Sequence, residues 1–235
     1  MRRIMSRGIC IFCGKDFARN VMTRHLSVCE ARIAAQQTAP SGSGALRTVS
    51  VVQLFVSGGS DYWLHIEVPV DAPMRQIDQF LRDIWLECCG HLSAFRLGGK
   101  QAIWAFEVNE LSMTRKVKGV FGPDTVIKYE YDFGSTTELK LTYTAERPAA
   151  VRGYEVSLLA RNTPPVYPCR ECREPATQLC TECDWDEDGN WLCESHASTH
   201  DCGEEGLLPV VNSPRVGVCG YNGSLIYGDL GLLQP

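Results

Sequence analysis

Twelve cysteines in a 235-residue chain offer the most chemistry, and their spacing says which chemistry it is. Cys10/Cys13, Cys169/Cys172 and Cys180/Cys183 are Cys-x-x-Cys pairs, and histidines follow them at short intervals. A two-residue gap lets both thiolates of a pair reach one ion, a spacing that disulfide frameworks do not require. The pattern implies zinc rather than disulfides, and a reducing compartment, most simply a cytoplasm.

The first ligand set is Cys10, Cys13, His25 and Cys29. His25 and Cys29 lie four apart, about one helical turn, so their side chains share a face. Phe17 and Met22 fall where a ββα finger packs two apolar residues over its metal, and Gly14-Lys15 suits a tight turn. A unit this small buries too little to fold alone; zinc in such peptides contributes on the order of 10–16 kcal/mol. Residues 169–202 carry eight more ligands, the number for two tetrahedral ions. Pairs that alternate in sequence interleave in space. One ion would take Cys169, Cys172, Cys193 and His196; the other would take Cys180, Cys183, His200 and Cys202, with Cys219 as an alternative to Cys202. Three sets of four predict three zinc ions.

Four good ligands leave no coordination position for water, so these sites read as structural rather than catalytic. Cys88 and Cys89 are adjacent, a poor arrangement for one ion, and read as helix core. His65 and His91 lack ligand-spaced neighbours and read as structural histidines. The acidic run Asp184, Asp186, Glu187 and Asp188 lacks the glycine-punctuated pattern of an EF-hand and reads as a solvated loop.

The rest of the chain must position these sets. At 44% hydrophobic and 22% charged it has ordinary globular composition. No apolar run reaches the roughly 18 residues of a membrane span, and no apolar segment follows Arg2, Arg3 and Arg7 to make a secretory signal. The Gly/Ser/Pro stretch after Ala35 and the prolines 164, 165 and 168 mark two breaks. The expected units are a single finger over 1–35, a flexible linker over 36–46, an α+β domain over 47–160, and a Pro-rich spacer with a double-zinc module and tail over 161–235. Charge is uneven. Residues 1–35 hold seven basic and two acidic residues, whereas residues 163–235 hold three basic and twelve acidic. Such asymmetry points to different partners for the two ends.

Within 47–160, Tyr62–Val68 alternates, with Tyr62, Leu64, Ile66 and Val68 on one face and Trp63, His65 and Glu67 on the other. A helix over roughly 74–89, with Asp71 as N-cap, gathers Ile77, Phe80, Leu81, Ile84, Trp85 and Cys88 on one apolar face. Further strands are expected over 49–56, 94–97, 101–108, 126–133, 138–144 and 154–160, with Gly98-Gly99 as a turn and a short helix near 112–120. The fold class is α+β: a mixed or antiparallel sheet with an amphipathic helix, flanked by two small zinc modules. Asp132-Phe133-Gly134 lacks the companion motifs of a kinase and reads as a hairpin turn, the aspartate capping and the glycine taking a positive φ.

Two resemblances follow. The ligand order over 169–202 resembles a B-box-like cross-brace module. The middle unit resembles the family named after the third open reading frame of the plant-tumour plasmid pRi, also labelled an insertion-element passenger protein. The likeness is carried by Trp63 with Pro69, the helix over 74–89, His91-Leu92-x-x-Phe95 and Tyr129-x-Tyr131-Asp132-Phe133-Gly134, and spans about 55–147. It implies an α+β domain without an established reaction. The leading expectation is a non-enzymatic zinc-binding interaction protein with a protein partner, no membrane association and no small-molecule cofactor. The runner-up is a nucleic-acid-binding accessory of a mobile element, with Arg19, Arg24 and Arg32 of the basic finger along phosphates. A hydrolase or nuclease with a site not visible in the sequence is the third reading.

Overall fold

The computed structural model describes residues 6–35, 45–59, 61–97, 110–183 and 189–228. The expected strand over 101–108, the Gly98-Gly99 turn, the acidic run at 184–188 and most of the 36–46 linker lie outside these residues.

The fold is α+β. Nine strands among the described residues form one antiparallel sheet: β1 (Arg7–Cys10), β2 (Asp16–Ala18), β3 (Leu46–Gly58), β4 (Tyr62–Pro69), β5 (Ser93–Leu97), β6 (Glu110–Leu111), β7 (Val126–Tyr131), β8 (Thr137–Arg152) and β9 (Ser157–Asn162). Their order is β2-β1-β9-β4-β3-β8-β7-β5-β6. Helices α1 (Arg19–Val28) and α2 (Glu30–Ala35) belong to the finger, and α3 (Arg75–Leu81) to the middle unit. The first strands of the finger are thus strands of the main sheet. β1 pairs antiparallel with β9, Gly8 opposite Asn162 and Cys10 opposite Ala160.

Burial of β4 explains why the finger docks there. Every residue from Tyr62 to Pro69 is buried, so both faces of this alternating strand are covered. Leu64, Ile66 and Val68 join the main core with Ile77, Phe80, Leu81, Ile84 and Trp85. The opposite face, which alternation alone would send to solvent, lies under the finger. Trp63 packs with Met22, Leu26, Leu159 and Ala160, while Phe12, Phe17 and Phe55 close the edges. Gly8 is a requirement of this contact. A Cβ there would sit 2.3 Å from the Arg161 carbonyl oxygen and 2.6 Å from the Trp63 ring.

A buried carboxylate fastens the same face. Glu67 accepts from Arg32 Nη2 (3.0 Å), from Arg147 Nε (2.8 Å) and Nη2 (2.6 Å), and from Gln53 Nε2 (2.6 Å). Arg32 also donates to the Leu26 carbonyl at 2.7 Å. His65, beside Thr23 of α1 at 3.4 Å, is 2% exposed, and burial pulls its pKa down to about 4.

Several local expectations need correction. The helix starts at Arg75, with Met74 at its cap and no side-chain cap hydrogen bond, so Asp71 is not its N-cap. It does not run regularly to residue 89: after Leu81 it widens into a π turn, Arg82–Leu86, and ends there. Residues 112–120 hold only a 3-10 turn, Val117–Gly119. At the 132–134 turn Asp132, not Gly134, takes the positive φ (64°). Its Oδ1 accepts from the amides of Gly134 (3.0 Å) and Ser135 (3.2 Å), which offsets that strain. β8 is far longer than 138–144 because it pairs along most of β3.

Replacing Glu67 with Ala should destabilise the fold by about 3–5 kcal/mol, because it strands two arginines against a buried face; urea denaturation measures this. His65 supplies a pH signature. Its folded pKa lies below its unfolded value of about 6.5, so the unfolded state binds the extra proton first and stability falls as pH drops from about 6.5 toward 4. A His65→Gln variant should lose less stability than the parent across that window in parallel urea titrations. Equal losses would show that His65 is not the titrating group.

Candidate metal centres

Among the described residues, four sets of side chains each bring four ligand atoms within 4.8 Å of one another. A tetrahedral zinc with ordinary bond lengths places sulfurs about 3.8 Å apart and sulfur and nitrogen about 3.5 Å apart. The sulfur–sulfur edges run from 3.6 to 3.9 Å and the sulfur–nitrogen edges from 3.0 to 3.6 Å. A disulfide would need about 2.05 Å.

In the finger, Cys10 and Cys13 flank the turn that joins β1 to β2, where Gly14 has φ 67°. α1 supplies His25, and Cys29 caps its end. Cys10 and Cys29 sulfurs stand 3.9 Å apart, and Cys13 Sγ lies 3.4 Å from His25 Nε2. Phe17 stacks on the His25 ring at 3.9 Å and holds its orientation.

The C-terminal module is built on β10 (Gln178–Cys180), β11 (Trp191–Leu192) and β12 (Leu207–Pro209), in the order β11-β10-β12. Its ligands interleave. Cys172 and Cys193 sulfurs are 3.6 Å apart, and His196 Nδ1 sits 3.2 Å from Cys193 and 3.6 Å from Cys169. Helix α4 (Glu194–Ala197) starts at Cys193 and so places Cys193 and His196 one turn apart. In the other set Cys183 lies 3.6 Å from Cys202 and 3.2 Å from His200 Nε2. Cys202, not Cys219, therefore completes the group with Cys180. Tyr167 stacks flat on Trp191 at 3.8 Å, and its hydroxyl meets that of Tyr62 at 2.7 Å, which ties the module to β4.

Within each set the neighbouring groups perturb the thiols. Ser195 and His196 bring the Cys193 thiol down to about 6, whereas hydrogen bonding from Cys202 and Cys180 pushes Cys183 up to about 12. Three thiolates packed this closely repel one another. A divalent ion removes the conflict and lets all three ionise together.

The fourth set is the one that sequence spacing missed. Cys88, Cys89, His91 and Cys219 converge; Cys88 does pack against the main core, but Cys89 is exposed rather than helix core, and His91 does have ligand-type neighbours. The physical reason is the early helix end. Beyond the π turn, Glu87 is already extended and Cys88 and Cys89 lie in a bend. Helical spacing therefore no longer sets where their side chains point. A usable signal existed in the inventory: after three sets are filled, three cysteines remain, and each filled set holds three cysteines and one histidine.

The finger arginines divide. Arg32 is 3% exposed and committed to Glu67, so it does not lie on a phosphate-facing surface. Arg19 is half-buried over the Phe55 ring at 5.2 Å and donates to the Gly59 carbonyl. Arg24 is exposed.

No family model matches the chain, and no curated protein matches it. Among solved structures, a crystal structure of a protein of unknown function from Methanosarcina mazei Go1 aligns at 18% identity and a TM-score of 0.36, covering 47% of this chain and 67% of that one. No helix of the described residues is long and apolar enough to cross a membrane.

Metal removal should separate the parts. The C-terminal module has a small core, Cys180, Leu192 and Ala197 with Cys183 and Leu207 packed against it, and two of these five are candidate ligands. A strong chelator should abolish amide protection over 169–209 while β3, β4, β7 and β8 stay protected, read by hydrogen exchange. Loss of protection throughout the main sheet would show that the metal holds the whole fold.

Proposed function

We propose that the chain is a non-enzymatic, zinc-dependent interaction protein of the cell interior, in which a pRi-type α+β sheet serves as a rigid platform. The observation that carries the reading is that each Cys/His set offers four ligand atoms at tetrahedral spacing. Zinc so held has no open position for a substrate or a nucleophilic water, and its role is to fix loops. The cross-brace loops of the C-terminal module are such fixed loops. The region from 163 onward carries twelve acidic residues against three basic ones, so a partner surface of basic character fits it.

The burial of Arg32 favours protein docking over the nucleic-acid reading, because the finger spends that cation on its own sheet. The test is affinity capture with the full chain and with a Cys180→Ser, Cys183→Ser variant. The expected result is a partner retained by the parent in a salt-sensitive manner and lost by the variant. A parallel titration with duplex DNA should show no binding. DNA affinity that weakens steeply with salt and drops in Arg24→Ala would overturn this reading in favour of the nucleic-acid one.

A further inference from the structure

Cys88, Cys89 and His91 follow the π turn of the middle unit, and Cys219 reaches them from the tail, 130 residues after Cys89. Cys89 Sγ stands 3.7 Å from both Cys88 and Cys219. His91 Nε2 lies 3.0 Å from Cys89 and 3.2 Å from Cys219. These are the edges of a metal tetrahedron rather than of a disulfide or a hydrophobic contact.

The backbone on both sides is shaped for this meeting. Gly90, at φ 78°, turns the chain so that Cys89 and His91 face the same point. Cys219 itself adopts φ 53°, a conformation that a residue with a Cβ takes at a cost, and one that calls for a local reason. Ligation of an ion supplies that reason.

Contacts independent of the thiols bring the tail to this place. Ser213 donates to the Trp85 carbonyl at 2.6 Å, and Ser224 donates to the Asp83 carbonyl. Both acceptors lie in the π turn. Arg215, fully buried, donates to Asp132 at 2.7 Å and to Thr137 Oγ1 at 3.1 Å, and its guanidinium lies over the Tyr131 ring at 4.8 Å. The His91 ring meets the edge of the same tyrosine at 5.7 Å. The ligands therefore converge on a surface that is already assembled.

We infer that Cys88, Cys89, His91 and Cys219 bind a fourth zinc ion, which clasps the tail onto the end of the π turn. With this set every cysteine of the chain is a ligand, and each ion takes three thiolates and one imidazole. The clasp stands apart from the proposed interaction role and holds whether or not a protein partner exists. Cys89 and Cys219 are exposed in the fold, so an ion bound to their sulfurs would slow their reaction with a thiol reagent.

The experiment uses the full chain purified with zinc. Elemental analysis should give four zinc ions per chain in the parent and three in Cys219→Ser, with tryptic cleavage at Arg215 faster in the variant. Alkylation with iodoacetamide, followed by peptide mass spectrometry, tests the parent directly and does not depend on the variant folding. Cys89 and Cys219 should react roughly tenfold more slowly in the zinc-loaded chain than after chelation. Three ions in the parent, an unchanged count in Cys219→Ser, or equal alkylation of Cys89 and Cys219 with and without zinc would each overturn the assignment.

Discussion

Asn162 is the joint on which the arrangement of the molecule turns. Its backbone pairs with Gly8 of the finger, and its side-chain oxygen accepts from the Trp63 amide at 3.0 Å. Its Nδ2 donates to Asn212 Oδ1 at 2.6 Å, and Asn212 answers by donating to the Asn162 carbonyl at 3.0 Å. Finger, central strand and tail thus meet at one residue that is 1% exposed. Its neighbour Arg161 extends the joint, donating to the carbonyls of Asn212 at 2.5 Å and Gly228 at 2.8 Å. Buried amides of this kind tolerate few substitutions, because losing one partner leaves the others unsatisfied in a dry environment.

Two kinds of cohesion are therefore combined. The sheet has an apolar core that helices, strands and tail all share, and it gives the finger a wall on which to rest. The Cys/His sets act over much shorter distances and gather loops that have little core of their own. Where the two meet, as at Trp63 beneath the finger or Tyr62 against Tyr167, a candidate metal site is joined to the main sheet by packing and hydrogen bonding. This division accounts for the economy of the finger: one face of a short helix is enough, because β4 and β9 provide the other half of its core.

Much of this was legible in the sequence where information is local. The Cys-x-x-Cys pairs, the helical spacing of His25 and Cys29, and the alternation of Tyr62–Val68 are all short-range patterns, and short-range geometry decides them. What could not be read depended on the partner surface. Alternation assigned Trp63, His65 and Glu67 to the far side of β4 and was silent on what covers that side. A run of basic residues carries no mark that Arg32 is the member that turns inward toward a carboxylate 35 residues away. Helical spacing places Cys88 against the core correctly but not the exposed Cys89, because the segment is a π turn followed by a bend rather than a regular helix. Counting ligands by set, three thiols to one imidazole, would have reached Cys219 where spacing could not.

The separation of Cys89 from Cys219 also sets an order in time. Cys29 completes the finger set early in synthesis, and Cys202 completes the second C-terminal set late, but the proposed set begun at Cys88 closes last. At about 5–20 residues per second, ribosomal synthesis leaves roughly 6 to 26 s between the appearance of Cys89 and that of Cys219. During that interval three ligands of one site exist without their fourth, while β7, β8 and β9 are still being made. Throughout that interval two neighbouring thiols stay unpaired with their distant partner and open to thiol–disulfide exchange.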